Sequence, residues 1–588
     1  MRSWFRFVPL ALLLSVGLLS GSAPAADKFP AEGKWKLNFL MQDLDLVIVE
    51  VKAEGEDFQV SIVDASNQIG KAEAKKFSVK DGVVELLIHS PGIDDLPFKG
   101  KPVAEGDDAG AVLGVVWLRG NALPARLDKT DAEKVQAPKP NPAQQAFIAA
   151  FRIQDPKEKL EKLLDLAKTA PAGLAFNAYG QVFQSAEAAG LDEEEVRKHL
   201  QTYLASATKY GPEWESQCRS TALQGILGRK PYSALGLELA EQNRKELKAD
   251  ASLEQQANAL QALARAARAA EKDELAATTE KELVLIDAKL DEEYHQKVPP
   301  FAPEKFEGRS NPEHNRVVVF ELFTGAQCPP CVAADVAFDA ILSTYQHTEL
   351  IALQYHLHIP GPDPLTNADS ETRAKFYSVR GTPSTYFNGI TAAGGGGGMP
   401  QSKSKYDQFR GEIDKQLAGG RSAQIDLKLE RKGEKIAVTA VAQAEVKKPA
   451  AEEKKEKDAG SDEKGQAKDE GKAGTGSQLR LRLVLTEESI RYVGGNKLRF
   501  HHHVVRGFPG GVEGLELTDG AGKLELTVDL NDVRKVLSDY VETYGKARPF
   551  ANSPPKLDFK GLALVALIQD DSDKSILHAV QLPVPEAP

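Results

Sequence analysis

Phe320-Glu321-Leu322-Phe323-Thr324-Gly325-Ala326-Gln327-Cys328-Pro329-Pro330-Cys331 places two cysteines, two residues apart, where an apolar strand gives way to a helix. Val317 to Phe320 form the continuous apolar run of a buried parallel strand, and Val332 to Leu342 carry apolar residues at helical spacing. The first cysteine therefore falls at a helix N-terminus. Unpaired backbone N–H groups and the positive end of the helix dipole favour a thiolate there, bringing a cysteine pKa to roughly 3.5–7.5 from about 8.5. The second cysteine, one turn on, is placed to resolve a mixed disulfide. The spacing by itself also suits half a zinc site or a structural disulfide.

Further along, Val379-Arg380-Gly381-Thr382-Pro383-Ser384-Thr385-Tyr386-Phe387-Asn388-Gly389 reads as a loop, a Thr-Pro step and a short strand ending in an Asn-Gly hairpin. A proline opening a strand beside a reactive dithiol is a candidate for a cis peptide. The order of strand, CxxC helix, strand, helix, Thr-Pro, hairpin and helix resembles the thioredoxin superfamily over about residues 310 to 420. The resemblance implies that Cys328 is an exposed nucleophile and Cys331 a buried resolving thiol. It also implies that Pro383 is a cis-proline beside them and that Thr382 offers backbone groups to an extended substrate. Two features depart from the family: Gln327 stands where many members have tryptophan, and the strand-to-cysteine turn is one residue longer. Glu321, rather than an aspartate, is then the carboxylate expected to move a proton to or from Cys331. The other reading makes Glu321 an exposed charge at a strand end.

Arg2 and Arg6 precede an apolar run from Phe7 to Leu19, and Ala23-Pro24-Ala25 supplies small residues at an A-x-A site. This reads as a secretory signal peptide over residues 1–25, so the chain is expected to be exported to the periplasm or cell envelope, or beyond the cell. No cysteine follows the site to carry a lipid anchor, and no later segment approaches the roughly 18 apolar residues of a membrane span. Disulfides persist in such a compartment. With three cysteines in 588 residues, the chain is nevertheless not a disulfide-stapled scaffold. Cys218, in Trp214-Glu215-Ser216-Gln217-Cys218, reads as a small buried apolar residue of a helix, or as a third redox thiol.

Composition shifts divide the remainder into a multidomain α+β chain. Residues 27–130 alternate as short strands punctuated by turns such as Glu54-Gly55 and Asp81-Gly82, giving a small antiparallel β barrel or sandwich. Gly33-Lys34-Trp35 there resembles the opening of lipocalin-like barrels, though a capped structural strand explains these three residues better. After the Pro138–Pro142 linker, residues 141–298 are rich in Ala, Leu, Glu, Lys and Gln, and read as an α-helical bundle or a tetratricopeptide-like solenoid. The thioredoxin-like region, 310–420, comes next. Residues 421–588 read as a β-sandwich with one helix at about Asn531 to Tyr540. Residues 444–478, almost all Lys, Glu, Asp, Ala and Gly, form a disordered charged insert within it.

His356 and His358 end the strand Leu350 to Tyr355, at the sheet edge where the cysteines are expected. They could stabilise the Cys328 thiolate or complete a Cu(I) or zinc site with Cys328 and Cys331; alternatively they bond the Gly361-Pro362-Asp363-Pro364 loop. His501-His502-His503 reads as part of a polar edge strand. Gly394 to Gly398 lacks the Lys-Ser/Thr of a phosphate loop and reads as a flexible connection to a helix at about Tyr406 to Leu417. A formal charge of −11 without a basic domain argues against nucleic acid as a partner.

The leading expectation is an exported thiol-disulfide oxidoreductase that needs no cofactor or resident metal. It would act on client proteins with disulfides and depend on an electron donor or acceptor. Pro329-Pro330 offers no donor to the thiolate, which inclines the reading toward a reductase. The alternatives are a non-catalytic interaction module stapled by the cysteines, and a copper-handling site using Cys328, Cys331 and His356 or His358.

Overall fold

The computed structural model describes residues 29–586 apart from 56, 92–93, 119–120, 138–140, 310, 312, 392–393, 447–477 and 551. The expected signal peptide and nearly all of the expected insert lie outside the described residues. The chain divides into two compact units, Met1–Leu290 and Asp291–Pro588.

In the first unit β1 (Gly33–Phe39), β2 (Leu44–Glu54), β3 (Asp57–Ala65), β4 (Glu73–Lys80), β5 (Val83–Ser90), β6 (Asp94–Pro102), β7 (Val112–Leu118) and β8 (Asn121–Lys129) form one antiparallel meander. β1 pairs with both β2 and β8, so the eight-stranded sheet curls into a near-closed barrel with β3 and β4 at its seam. Alternation fills the inside: Trp35, Leu37 and Phe39 of β1 and Val84, Leu86 and Ile88 of β5 share one core. The helices α1 (Pro142–Ala150), α2 (Pro156–Thr169), α3 (Ala172–Ala189), α4 (Glu193–Ala207), α5 (Pro212–Ile226), α6 (Ser233–Lys245), α7 (Leu253–Ala269) and α8 (Asp273–Lys297) follow through short turns. Their starts are capped where the sequence supplies Asp155, Asp192 and Ser252, whose side chains accept first-turn N–H groups. Cys218 of α5 lies in the apolar core of this unit, where burial pushes its thiol up to about 12, so it behaves as a small apolar residue.

The second unit contains β9 (Val318–Thr324), β10 (Leu350–His356), β11 (Ser384–Phe387), β12 (Ile390–Thr391), β13 (Ala423–Lys432), β14 (Lys435–Ala444), β15 (Leu479–Arg491) and β16 (Phe500–Gly507). Four shorter or later strands complete it: β17 (Leu515–Glu516), β18 (Ala521–Asp529), β19 (Leu562–Asp570) and β20 (Ile576–Pro583). The helices are α9 (Val332–Thr344), α10 (Ala368–Phe376), α11 (Ser402–Leu417) and α12 (Leu530–Ala547). One mixed nine-stranded sheet runs β12-β11-β9-β10-β16-β15-β19-β20, with β17 paired to β15, and a second sheet runs β13-β14-β18. The first sheet passes straight across the boundary expected at 420/421, because β16 pairs in parallel with β10 at Gln354–Val504. His501 to His503 therefore lie on an interior strand, not on the edge strand that their polarity suggested. The C-terminal region is sheet-rich, and β13 and β14 share an apolar core with β15 and β19.

β9 is buried on both faces, and its alternate residues sort the surrounding elements. Val318, Phe320 and Leu322 pack against Ala334, Ala337 and Phe338 of α9 and Tyr406, Phe409 and Ile413 of α11. Val319 and Phe323 face the other way, toward Tyr355, Tyr386, Val565 and Ile576. The sheet curls until Ile576 N–H donates to Asn388 O at 3.0 Å, at the Asn388-Gly389 hairpin, where both residues have positive φ as such a turn requires.

Glu321 sits on this second face, fully buried, as the single charge of β9. Arg373 of α10 grips it through Nε (2.9 Å) and Nη2 (3.2 Å), and the hydroxyls of Tyr355 (3.0 Å) and Tyr377 (2.6 Å) donate to the same carboxylate. Arg373 Nη1 donates onward to Gln569 Oε1 of β19 at 2.7 Å. Removing one partner of such a pair strands the other charge. Arg373→Met is thus expected to destabilise the second unit by about 3–5 kcal/mol. Glu321→Met combined with Arg373→Met should recover most of that loss, as equilibrium denaturation of the full chain will show.

Candidate functional site

β9 ends at Thr324, and a turn closed by Cys328 N–H to Gly325 O (3.0 Å) delivers the first cysteine. One 3₁₀ turn, Pro329–Cys331, leads into α9, with Cys331 at its N-cap position. Cys328 and Cys331 are joined in a disulfide. Thr382, in a cis peptide with Pro383, lies directly against the pair: its carbonyl oxygen is 3.7 Å and its Oγ1 3.3 Å from Cys328 Sγ. The two short segments that the sequence singled out, 328–331 and 382–383, are thus brought together.

Cys328 is only 1 % exposed, where the resemblance implied an open nucleophile, while Pro329 and Pro330 face solvent. Two glycine segments account for the enclosure. Gly397 donates to Pro330 O at 2.7 Å and accepts from Ala333 N–H at 2.9 Å, so the glycine run 394–398 lies on the cysteine turn and is not a free connection. On another side the β15–β16 loop pairs Asn496 N–H with Ala326 O and Gly495 N–H with Gln327 Oε1, both at 3.0 Å. A Cβ at Gly396 would stand 2.3 Å from Pro330 O, and one at Gly494 2.1 Å from Ala326 O, so only glycine permits either approach. Ile359 O closes a third side, 3.4 Å from Thr382 Oγ1.

Glu321 lies on the sheet face opposite α9 and is committed to Arg373, so it is not the carboxylate beneath Cys331. Asp335 lies one helical turn beyond Cys331 on α9 and is 2 % exposed. Asp335 accepts from Thr324 Oγ1 at 2.9 Å and from Gln354 Nε2 at 3.2 Å. Desolvation holds its carboxyl well above the usual range, outweighing the Thr324 hydrogen bond, and the nearby charges of Asp339 and Asp363 push the same way. The sequence carried a signal for this residue: an acid within the otherwise apolar start of α9, Val332-Ala333-Ala334-Asp335-Val336.

Neither histidine of the pair offers a free ring nitrogen to the cysteines. His356 is buried, with Nδ1 2.7 Å from Asp363 Oδ2 and Nε2 3.1 Å from Gln354 Oε1. His358 accepts from Asp363 N–H at Nδ1 (3.0 Å), meets Tyr540 OH at Nε2 (3.0 Å) and stacks on Tyr544. Burial brings His358 down to about 4, so it is neutral at physiological pH. Both rings thus serve the Gly361–Pro364 loop. Asp363 in turn anchors the cysteine turn by accepting Ala326 N–H at 2.6 Å. Among the described residues no cluster of three or more His, Cys, Asp or Glu is arranged to hold a metal ion, and no helix is long and apolar enough to cross a membrane.

No family model matches the chain. No curated protein matches it either. Among solved structures it is similar to HBP35 of Porphyromonas gingivalis, at a TM-score of 0.28 and 15% sequence identity over 46% of this chain and 76% of that one. A likeness of that size decides neither fold nor function.

The raised Asp335 carboxyl has a consequence for stability. Below the unfolded value of 3.8 the group is protonated in both states and costs nothing. As pH rises from there toward the native value, the unfolded chain releases a proton that the native state retains, and stability falls. Asp335→Asn is therefore expected to stabilise the protein at pH 7 and to have no such effect near pH 3, which parallel denaturation series at the two pH values will test.

Proposed function

We propose that residues 310–420 carry a thioredoxin-like fold and that the chain is an exported thiol-disulfide oxidoreductase, exchanging disulfides with client proteins through Cys328 and Cys331. The observation that carries this reading is the Cys328–Cys331 pair at the start of α9 with Thr382 O and Oγ1 seated on Cys328 Sγ. A staple needs no such neighbour. Asp335 supports it further, since a buried acid with a raised pKa is what a proton exchange with Cys331 near neutral pH requires.

In the reducing direction the Cys328 thiolate attacks one sulfur of a client disulfide; that S–S bond breaks and the other client sulfur leaves as a thiolate, to be protonated by water. Cys331 passes its proton to the Asp335 carboxylate and attacks Cys328. The Cys328–Cys331 bond forms, the client's remaining sulfur departs, and two electrons have moved from protein to client. A dithiol donor returns the protein to its reduced form. The reducing direction is favoured by weak thiolate stabilisation. Pro329 and Pro330 supply no N–H, and the Ala333 N–H of the first turn of α9 is taken by Gly397 O.

The enclosure of Cys328 favours a second reading, in which the disulfide only staples the helix start within an interaction module. Two measurements separate them. With Cys331→Ser, Cys328 is expected to hold a client as a mixed disulfide in an envelope extract, and thiol titration of the reduced wild type should place Cys328 below the unperturbed value of about 8.5. An unshifted Cys328 together with no disulfide reduction by the purified protein would leave the staple as the answer.

A further inference from the structure

A cavity of about 440 Å³ opens in the first unit between α3, α5 and the β7–β8 end of the barrel. Its polar lining consists mainly of amides, Asn121, Asn177, Gln181, Gln184 and Gln217, and none of the described residues that line it is charged. The sequence prepares this. α3 carries one charged residue, Glu187, in 18, although 27 % of the whole chain is charged. Asn177, Gln181 and Gln184 recur at helical spacing and so form one stripe along α3, while Trp214, Gln217 and Thr221 form the stripe along α5. Phe176 and Trp214, with ring centroids 5.1 Å apart, join the two helices, and Leu118 and Leu123 of the barrel supply an apolar wall.

Gly180, in the middle of α3, keeps the space between the stripes open. A glycine inside a helix is disfavoured relative to alanine, so its presence needs a reason. For Gly173 and Gly225 the reason is close packing: a Cβ would stand 2.0 Å from Leu40 O at the first and 2.6 Å from Phe183 Cβ at the second. At Gly180 a Cβ would meet only Thr221 Cγ2, at 3.3 Å, and Thr221 is itself part of the cavity wall. What a longer side chain would occupy there is the cavity. Trp214, which borders the same space, is 5 % exposed and keeps an indole N–H that finds no partner among the described residues, a cost that an incoming acceptor would relieve.

The lining selects by exclusion. An ion would enter it without a counter-charge, and a purely apolar ligand would take water from five amides and return no hydrogen bond. What fits is an uncharged molecule with an apolar face and a rim of groups that both donate and accept. An amide side chain does both, and so does each hydroxyl of a sugar, whose ring C–H groups suit Phe176, Leu118 and Leu123. An extended peptide turns its N–H and C=O groups alternately to its two sides, so along one stripe it would meet half as many partners. From Asn177 to Gln184 the α3 stripe spans about 10 Å at about 1.5 Å per residue, which matches about two sugar rings. We propose that this cavity binds an uncharged saccharide of one or two rings, a function independent of the thiol chemistry at Cys328.

The test titrates the full-length protein with maltose, cellobiose and N,N′-diacetylchitobiose, and in parallel with glucuronate and the capped peptide N-acetyl-trialanine amide, by calorimetry and saturation-transfer NMR. At least one of the three neutral disaccharides is expected to bind, more tightly than either glucuronate or the peptide. Gln181→Ala and Gln217→Ala, one from each helix, are each expected to weaken that binding about five- to tenfold, and Gly180→Leu to abolish it. Should Gly180→Leu not fold, the two alanine variants decide alone. No binding by any of the three disaccharides would overturn the proposal, as would binding that both alanine variants leave unchanged. Tighter binding of the capped peptide would also overturn it, and would make the cavity a peptide site; tighter binding of glucuronate would overturn the choice of an uncharged ligand.

Discussion

Burial of Glu321 against Arg373 fixes which way the central strand faces, and the site inherits its geometry from that choice. A carboxylate inside a protein costs several kcal/mol to desolvate unless its oxygens are fully engaged. Glu321 is engaged by two guanidinium nitrogens and two tyrosine hydroxyls, drawn from α10 and β10. Arg373 reaches β19 through Gln569, and Arg482 of β15 meets the same Gln569 oxygen at 3.2 Å while pairing with Asp571. Slipping β9 by one residue would carry Glu321 into the apolar layer beneath α9. With the register held, Val318, Phe320 and Leu322 are left to seat α9 and α11, and Thr324 arrives at Asp335.

The two faces of β9 thus hold two kinds of polar system. On one, a fully charged pair has every oxygen and nitrogen satisfied and serves the packing of the curled sheet. On the other, Thr324, Asp335, Gln354, His356 and Asp363 form a buried hydrogen-bonded line. Its outer end, Asp363, holds the backbone of Ala326 and so the turn that presents Cys328; its inner end, Asp335, lies one turn past Cys331. Low dielectric makes such a line costly if any member is left unpaired.

Much of this was legible in the sequence and some was not, for identifiable reasons. The strand-to-helix step at 317–342, the Asn388-Gly389 hairpin and the Thr382-Pro383 step depend on local chemistry, and each is where the sequence puts it. The choice of carboxylate was not legible, because Val-Val-Phe-Glu-Leu-Phe-Thr is apolar on both faces and lacks the period of two that would say which side α9 takes. The pairing of β16 with β10 joins residues far apart in the chain, so three histidines suggested an edge where the fold places an interior strand. Gly394–Gly398 read as slack because sequence registers the absence of side chains and not the carbonyl of Pro330 that makes the absence necessary.

The enclosure of Cys328 is built from neighbouring segments of the chain. The two segments that cover the cysteine turn do so with backbone: Gly397 on Pro330 and Ala333, Gly495 and Asn496 on Gln327 and Ala326. Apolar side chains add to the contact: Tyr492 packs with Ala326, and Leu498 and Met399 pack with Val332 and Val336, so parting either segment from the turn would expose apolar surface as well. The cover over the cysteine turn thus combines backbone hydrogen bonds with apolar contact, and the far side of the same strand holds the buried Glu321–Arg373 pair.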